Sequence, residues 1–182
     1  LASSGNYEFL PMIYKRGNIE KYVTSLSDAD IIFYSAYLWN FKVSLEVALR
    51  IKKRKPGMLN VFGGPQVPES NEKISAFLGK YPFIDIASYG EGETPFLRII
   101  EGFKDRGWEV VPSIGYRRPD ATLAFNEFKE TIQDINEIPS PYLSGVFDEL
   151  MMQNPEEKWQ GRIETNRGCP FTCAFCYWGK KS

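Results

Sequence analysis

Short apolar runs alternate with amphipathic segments over the first half of the chain. The apolar runs cover residues 28–35, 59–62 and 83–87. Short apolar runs bounded by small or polar residues are typical of buried strands. The amphipathic segments, whose apolar positions recur at helical spacing, cover residues 41–54, 70–79 and about 94–105. Strands alternating with helices predict an α/β fold with a parallel sheet and flanking helices.

Small, polar and aromatic residues collect where each predicted strand ends. The three segments are Ser35–Asn40, Gly63–Val67 and Tyr89–Glu93. Ligands of parallel α/β sheets bind in the crevice at the carboxyl ends of the strands. We therefore expect these segments to lie together and to form the ligand-binding edge of the sheet.

The pattern changes after residue 108. Two short apolar runs, 113–117 and 122–125, flank a Pro-Asp turn and predict a hairpin. A stretch rich in Pro, Asn and acidic residues follows and predicts a linker, and residues 162–165 predict a strand that leads into a cysteine-rich loop. The expected domain boundaries are 1–108, 109–150 and 151–182.

Composition narrows the classes of partner. The 182 residues carry a formal net charge of −1, so neither nucleic acid nor an anionic membrane is expected as a partner. No apolar run approaches the ~18 residues needed to span a bilayer. The chain begins without Met or a signal peptide and stops just after the cysteine loop, so a fragment is expected. Sparse, clustered cysteines favour a reducing, cytoplasmic location.

Two charged clusters have ordinary explanations. The basic residues of 52–55 crowd the end of a predicted helix, where cations favour the helix dipole, and we expect them to be solvated. Glu91 and Glu93 could form an acid/base pair. A Gly-Glu-Gly-Glu-Thr turn is more often the start of a helix, where acidic side chains are favourable.

The cysteines form one compact set, Cys169, Cys173 and Cys176, in a chain that has no other Cys and no His. Cysteine-only sites select iron–sulfur clusters or zinc. A structural zinc site normally needs four protein ligands, whereas three thiolates can hold three irons of a cubane and leave the fourth iron open. A zinc loop completed by Asp, Glu or further sequence stays possible on these grounds.

The cysteine loop resembles the signature of the radical S-adenosylmethionine (SAM) superfamily. Its Arg-Gly-Cys-Pro start and the aromatic Phe175 before the third cysteine match that signature as well. The resemblance implies a [4Fe–4S] cluster on the three cysteines and SAM at the open iron. It places Phe175 and Tyr177 beside SAM.

The upstream segments resemble the cobalamin-binding Rossmann-like domain of one radical SAM subfamily. Ser35-Ala36-Tyr37 and Gly63-Gly64 stand close to the spacing of that domain's Ser-x-Leu segment and Gly-Gly turn, although Tyr37 replaces the Leu. Because the chain has no His, the resemblance implies base-off, His-off cobalamin. The implied cobalamin contacts are Ser35, Tyr37, Trp39, Asn40, Gly63, Gly64, Pro65, Gln66, Tyr89, Gly90, Glu91 and Gly92.

Together the resemblances imply the N-terminal part of a cobalamin-dependent radical SAM enzyme. Its fold would be a Rossmann- or flavodoxin-like sheet, a hairpin and linker, and the first strand of a partial TIM barrel. Its reaction would be methyl transfer to an unactivated carbon by way of a 5′-deoxyadenosyl radical. Expected partners are a small-molecule or peptide substrate and a reductant such as flavodoxin or ferredoxin. The 182 residues alone are expected to be inactive.

Two alternatives stay open at this point. One is a radical SAM enzyme whose Rossmann-like domain binds no cobalamin. The other is a non-enzymatic cofactor-binding module with a zinc loop.

Overall fold

The structure is a computed structural model that describes residues 7–127, 132, 134–165, 167–169, 171 and 173–176. The chain divides into two compact units, Leu1–Lys129 and Glu130–Ser182. The first unit holds the sheet and its helices. The second holds the segment that precedes the cysteines and the cysteine loop itself.

A single five-stranded sheet forms the first unit. Its strands are β1 (Ile31–Ser35), β2 (Leu59–Gly63), β3 (Ile86–Ser88), β4 (Ile114–Arg117) and β5 (Leu123–Phe125). They lie in chain order, with β1, β2 and β3 parallel and β4 and β5 antiparallel. The predicted Rossmann-like α/β fold is thus confirmed, with one correction. The predicted hairpin continues the parallel sheet, so the sheet is mixed.

Four helices flank the sheet, namely α1 (Ile19–Ser25), α2 (Phe41–Arg54), α3 (Asn71–Lys80) and α4 (Glu93–Glu101). The bounds of α2 match the prediction, because cations fill its last turn and Pro56 and Gly57 follow closely. α1 was not predicted. It has seven residues and a single buried side chain, and Asn18 caps it by accepting a hydrogen bond from the Glu20 amide.

Alternate strand residues pack into two separate cores, as the pleat of a strand requires. On one side, which we call the α2–α3 face, strand residues Ile32, Tyr34, Phe62 and Ala87 join buried side chains of α1, α2 and α3. On the other side, the α4 face, strand residues Leu59, Val61 and Ile86 pack with Ile99 of α4 and with Trp108. Helices on both sides bury β3 and all but the last residue of β2, whereas β1, at the edge of the sheet, is only partly buried.

A buried polar network fixes the amino ends of the strands. Asn60 is fully buried, and its side chain accepts from the Tyr34 hydroxyl (3.2 Å) and donates to the Phe83 carbonyl (2.9 Å). Its backbone N–H donates to the Asp85 carboxylate at 2.7 Å. The Lys52 ammonium, also at 2.7 Å, balances the charge of that carboxylate. The network ties α2, β1, β2 and the start of β3 together.

The expectation that residues 52–55 are a solvated helix end holds for Lys53 and Arg54, which are exposed, and is wrong for Lys52 and Lys55, which are half-buried. Besides its pairing with Asp85, Lys52 donates to the Met58 carbonyl. Arg54 pairs with Glu20, which lies on α1, and Lys55 donates to the Ala29 carbonyl at 2.7 Å. These cations attach α2 to the segments on either side of it.

The described residues of the second unit include an α-helix, α5 (Asp148–Gln153), a short 3-10 helix (Ile135–Glu137) and a link between two distant segments. The Tyr142 hydroxyl accepts from the Arg162 amide (2.8 Å) and lies 3.1 Å from the Arg162 carbonyl, to which it can donate. The predicted strand over 162–165 is wrong. No described segment pairs with it along its backbone, and a strand needs such a neighbour. Across the described residues, no helix has the length and apolarity to cross a membrane.

The Tyr34 phenol predicts a loss of stability at alkaline pH. Burial, and then the Asp85 charge, raise the pKa of Tyr34 above its usual value. The unfolded chain therefore releases this proton at lower pH than the folded chain, so stability is full below about pH 10 and falls above it. Tyr34→Phe should cost about 1 kcal/mol at pH 8 because it leaves the Asn60 side-chain oxygen without this donor.

Urea unfolding at pH 8 and pH 10.5 tests this. The difference in unfolding free energy between Tyr34→Phe and the unaltered protein should narrow at the higher pH. A difference that stays constant or widens would show that Tyr34 does not contribute to the alkaline loss.

Candidate functional site

Two of the predicted segments are joined at the carboxyl edge of the sheet. Ser35, the last residue of β1, is paired with Gly63, the last residue of β2. Beyond them, the Ala36 amide donates to the Gly63 carbonyl (2.6 Å), and the Gln66 amide donates to the Ala36 carbonyl (3.0 Å). The prediction that Ser35–Asn40 and Gly63–Val67 lie together is confirmed. We call these two segments the joined loops.

The close approach of the Gly64 and Ala36 backbones explains why one of the two positions in the Gly-Gly turn is occupied by glycine. Gly64 has φ +104°, and a Cβ there would lie 3.1 Å from the oxygen and 3.2 Å from the nitrogen of Ala36. A side chain at 64 would therefore be strained in its backbone and crowded by neighbouring backbone atoms. The fold itself therefore favours glycine at position 64, whether or not a ligand binds there.

Gly63 is different. A Cβ there would meet only ordinary contacts, with the Ser88 carbonyl oxygen at 3.8 Å and the Ser88 Cβ at 4.0 Å. The fold does not require a glycine at this position. With glycine at this position, β2 carries no side chain between Ser35 of β1 and Ser88 of β3.

An exposed aromatic pair stands on the first of the joined loops. The rings of Tyr37 and Trp39 stack with their centroids 4.7 Å apart and their planes 16° apart. Trp39 is 65% exposed and Leu38 is 79% exposed. Three adjacent apolar side chains of which two are this exposed form an unusual surface beside a predicted ligand edge.

Asn40 holds the aromatic pair in place. Its side-chain oxygen accepts from the Tyr37 amide (2.8 Å), and its side-chain nitrogen donates to the Ser35 carbonyl (2.7 Å). Both polar groups of Asn40 are thus used within the loop. Asn40 therefore positions the aromatic residues, and α2 begins immediately after it.

The third predicted segment follows β3, and its residues divide by role. Tyr89 is 6% exposed, and its hydroxyl donates to the Asn126 carbonyl at 2.6 Å, so this side chain belongs to the interior. Gly90 has φ +72°, and α4 begins at Glu93, directly after Gly92. The expectation of a helix start in this turn is confirmed.

The remaining predicted contacts at this edge are surface residues. Pro65 is exposed, and Gln66 and Glu91 are half-buried. One residue that the sequence did not single out, Ser88, lies beside Gly63 at the end of β3 and is 8% exposed. Strand alternation next to the apolar residues of β3 is the signal that could have identified it.

The cysteine loop offers three free thiols. Cys173 is exposed, Cys169 and Cys176 are half-buried, and the Cys176 amide donates to the Cys173 carbonyl at 3.0 Å. Phe175 is 94% exposed, and Tyr177 lies outside the described residues. Within the part of the chain that is described, no three His, Cys, Asp or Glu side chains gather closely enough to hold a metal ion. The cluster therefore stays a prediction.

Comparison with known proteins gives consistent relatives, although no protein-family model matches the chain. It is 34% identical over 180 residues to 2-(S-pantetheinyl)-carbapenam-3-carboxylate methyltransferase of Streptantibioticus cattleyicolor, covering 97% of this chain and 26% of that protein. It is 32% identical over 177 residues to the cobalamin-dependent radical SAM methyltransferase TokK of Streptomyces tokunonensis, covering 95% and 25%.

A solved structure agrees on the fold. The cobalamin-dependent SAM radical enzyme OxsB, with aqua-cobalamin and SAM bound, matches 87% of this chain and 22% of its own at a TM-score of 0.63 and 22% identity. The chain belongs to the cobalamin-binding radical SAM family. It spans about a quarter of the length of these two curated relatives.

Family membership gives the joined loops a context. In this member of the cobalamin-binding radical SAM family, the two glycines of the Gly-Gly turn differ. Gly64 lets the two loops meet, whereas a Cβ at Gly63 would make only ordinary contacts. The Ser-x-Leu position holds Tyr37, whose ring supports Trp39.

The two glycines should therefore respond differently to the same substitution. Gly64→Ala is expected to lower the free energy of unfolding by about 1–3 kcal/mol, because a positive φ and backbone contacts oppose a Cβ. Gly63→Ala should change it by less than about 1 kcal/mol, since it adds ordinary contacts within a strand. Urea unfolding of both variants measures this, and equal losses would contradict the distinction.

Proposed function

We propose that this chain binds cobalamin at the carboxyl edge of its sheet and serves a cobalamin-dependent radical SAM methyltransferase. The observation that carries the proposal is the lack of a side chain at Gly63, at the end of β2, together with the Tyr37–Trp39 stack on the adjoining loop, whose Trp39 ring is exposed. The names of the relatives support methyl transfer as the reaction.

The residues present fit a large, flat, mostly apolar ring. Leu38 and Trp39 are exposed at the edge, and Asn40 fixes the loop that presents them. Ordering these side chains in advance lowers the entropy that binding would otherwise cost. Their role is to cover one face of the corrin and to keep water from it.

The chain supplies no imidazole to a bound cobalt, because it contains no His. We propose base-off, His-off binding, in line with the family resemblance, with the nucleotide tail directed along the sheet toward Ser35 and Gly63. When bound, cobalamin would supply the methyl group that the reaction transfers. The protein's own contribution is to bind and orient the cofactor.

The cysteine loop fits an iron–sulfur cluster by its donor set. Three free thiols lie within eight consecutive residues, and thiolates are the ligands that such clusters take. A cluster held there would supply the electron that cleaves SAM. Phe175 and Tyr177 are the candidates for packing against SAM. A flavodoxin or ferredoxin as the reductant, a small molecule or peptide as the substrate and a cytoplasmic location complete the proposal.

Cobalamin binding can be tested by mixing the purified protein with hydroxocobalamin and separating it by gel filtration. We expect the protein fraction to keep the visible corrin absorption in its base-off form. Trp39→Ala should weaken retention at least about tenfold, because a buried aromatic contact is worth roughly 1–3 kcal/mol.

Trp159→Ala is the matched control, because Trp159 is 36% exposed and lies in the second unit. It should retain cobalamin like the unaltered protein. Absence of the corrin band in the unaltered protein would favour a radical SAM protein whose Rossmann-like unit binds no cobalamin.

The cluster is tested by anaerobic reconstitution with iron and sulfide. About four iron and four sulfide per chain are expected, with loss of most of both in Cys173→Ser. Cys173 is the exposed member of the set, so this exchange should leave the free energy of unfolding nearly unchanged. About one zinc and no sulfide in the purified protein would instead favour a zinc loop.

A further inference from the structure

A groove of about 350 Å³ lies between α3 and the start of α2, and we call it the α3 groove. Its apolar part is formed by Phe41, the first residue of α2, and by Phe77 and Tyr81 at the end of α3. The Phe41 and Phe77 rings stack with their centroids 6.1 Å apart, and the Tyr81 ring meets both edge-on. All three side chains are half-buried, so part of each stays accessible.

Two lysines stand at the rim of the α3 groove. Lys73 and Lys80 both belong to α3 and are exposed. Seven residues make nearly two turns of helix, so the two side chains leave the same face of α3 about 10 Å apart along its axis. Phe77 lies on that face between them. The residues that line the groove include no Asp or Glu.

Helix stability explains only one of the two lysines. Lys80 lies in the last turn of α3, where the helix dipole favours a cation, and its ammonium is 5.3 Å from the centroid of the Tyr81 ring. Lys73 lies in the first turn, where the dipole opposes a cation. Among the described residues, no carboxylate pairs with either ammonium. The groove is therefore complementary to an occupant that is both acidic and apolar.

We propose that the α3 groove docks an acidic amphipathic helix of a partner protein. This role goes beyond the proposed function and does not depend on cobalamin. Helices that bind in grooves use anchors at positions i, i+3, i+4 and i+7. Acidic residues at i and i+7 match the separation of Lys73 and Lys80, and apolar residues at i+3 and i+4 reach Phe77. A small molecule matches less well, because ligand pockets enclose most of their ligand, whereas Lys73, Ala76 and Lys80 leave this groove open.

Fluorescence anisotropy of a labelled helical peptide tests the proposal on the 182-residue protein. The peptide is alanine-based, with Glu at i and i+7 and Leu at i+3 and i+4. We expect saturable binding that weakens as salt is added, because salt screens exposed charges. Replacing both Glu by Lys, or both Leu by Ala, should weaken binding at least about tenfold, since like charges repel and apolar contacts are lost.

Reversing the charge of the rim gives the matched variant. Lys73→Glu combined with Lys80→Glu should weaken binding of the acidic peptide at least about tenfold and should create binding of the lysine-substituted peptide. Lys53→Glu is the control, because Lys53 is an exposed lysine of α2 that does not line the groove, and it should change binding less than about twofold. If circular dichroism shows that the double variant does not fold, Lys73→Ala replaces it, with a loss of about threefold expected.

Three results would overturn the proposal: equal binding of the acidic and lysine-substituted peptides, unchanged binding by the folded rim variant, or an equal loss in Lys53→Glu. Vesicles of phosphatidylglycerol provide a further comparison. Binding to these vesicles that is lost in the rim variant, without binding of the acidic peptide, would also overturn it and would assign the groove to an anionic membrane surface.

Discussion

The backbones of Ala36 and Gly64 lie so close together that a Cβ at position 64 would come within 3.1 Å of Ala36, and the arrangement of the two loops at this edge of the sheet depends on this contact. Two backbone hydrogen bonds, from the Ala36 and Gln66 amides, hold the loops at that distance. Because the loops are fixed to each other, the aromatic pair keeps a fixed place relative to the end of β2. A ligand at this edge would meet a surface formed before it binds.

The opposite end of the sheet is fixed by different means. There the buried Asn60 side chain and the Asp85–Lys52 pair set the positions of β1, β2 and the start of β3. A shift of one residue in the pairing of β2 would exchange its two faces. It would bury Val61 where Asn60 now bonds, and it would turn Gly63 away from the α4 face. Polar bonds at one end thus keep the small residues at the other end on the correct face.

The sequence was most informative where a signal is local. The bounds of α2 followed from its apolar spacing and basic last turn, and the joined loops followed from the ends of two apolar runs. α1 was missed because one buried residue gives no periodicity, and its stability comes from the Asn18 cap and from packing on α2. The predicted strand at 162–165 was wrong because a sequence pattern does not show whether a neighbouring strand is present to pair with it.

In the candidate site, too, the features with a local sequence signal could be predicted, and those that depend on tertiary neighbours could not. The glycines and the cysteine spacing could be identified directly from the sequence. That a side chain would be crowded at Gly64 but not at Gly63 depends on which atoms approach each of them, which only the structure shows. Asn40 looked like a ligand contact in the sequence, and only the geometry shows that both of its polar groups face the loop. Strand alternation could have marked Ser88, but only the structure shows that Gly63 is its neighbour.

Because of the contact between Ala36 and Gly64, the conformations of the two loops depend on each other. A side chain gained at position 64 would require the loop after β1 to give by a few tenths of an ångström, so a substitution in one loop displaces the other. Anyone grafting this edge onto another parallel sheet would have to transplant both loops in their present register. A graft of the Gly-Gly turn alone would carry the glycines without the neighbour that makes one of them necessary.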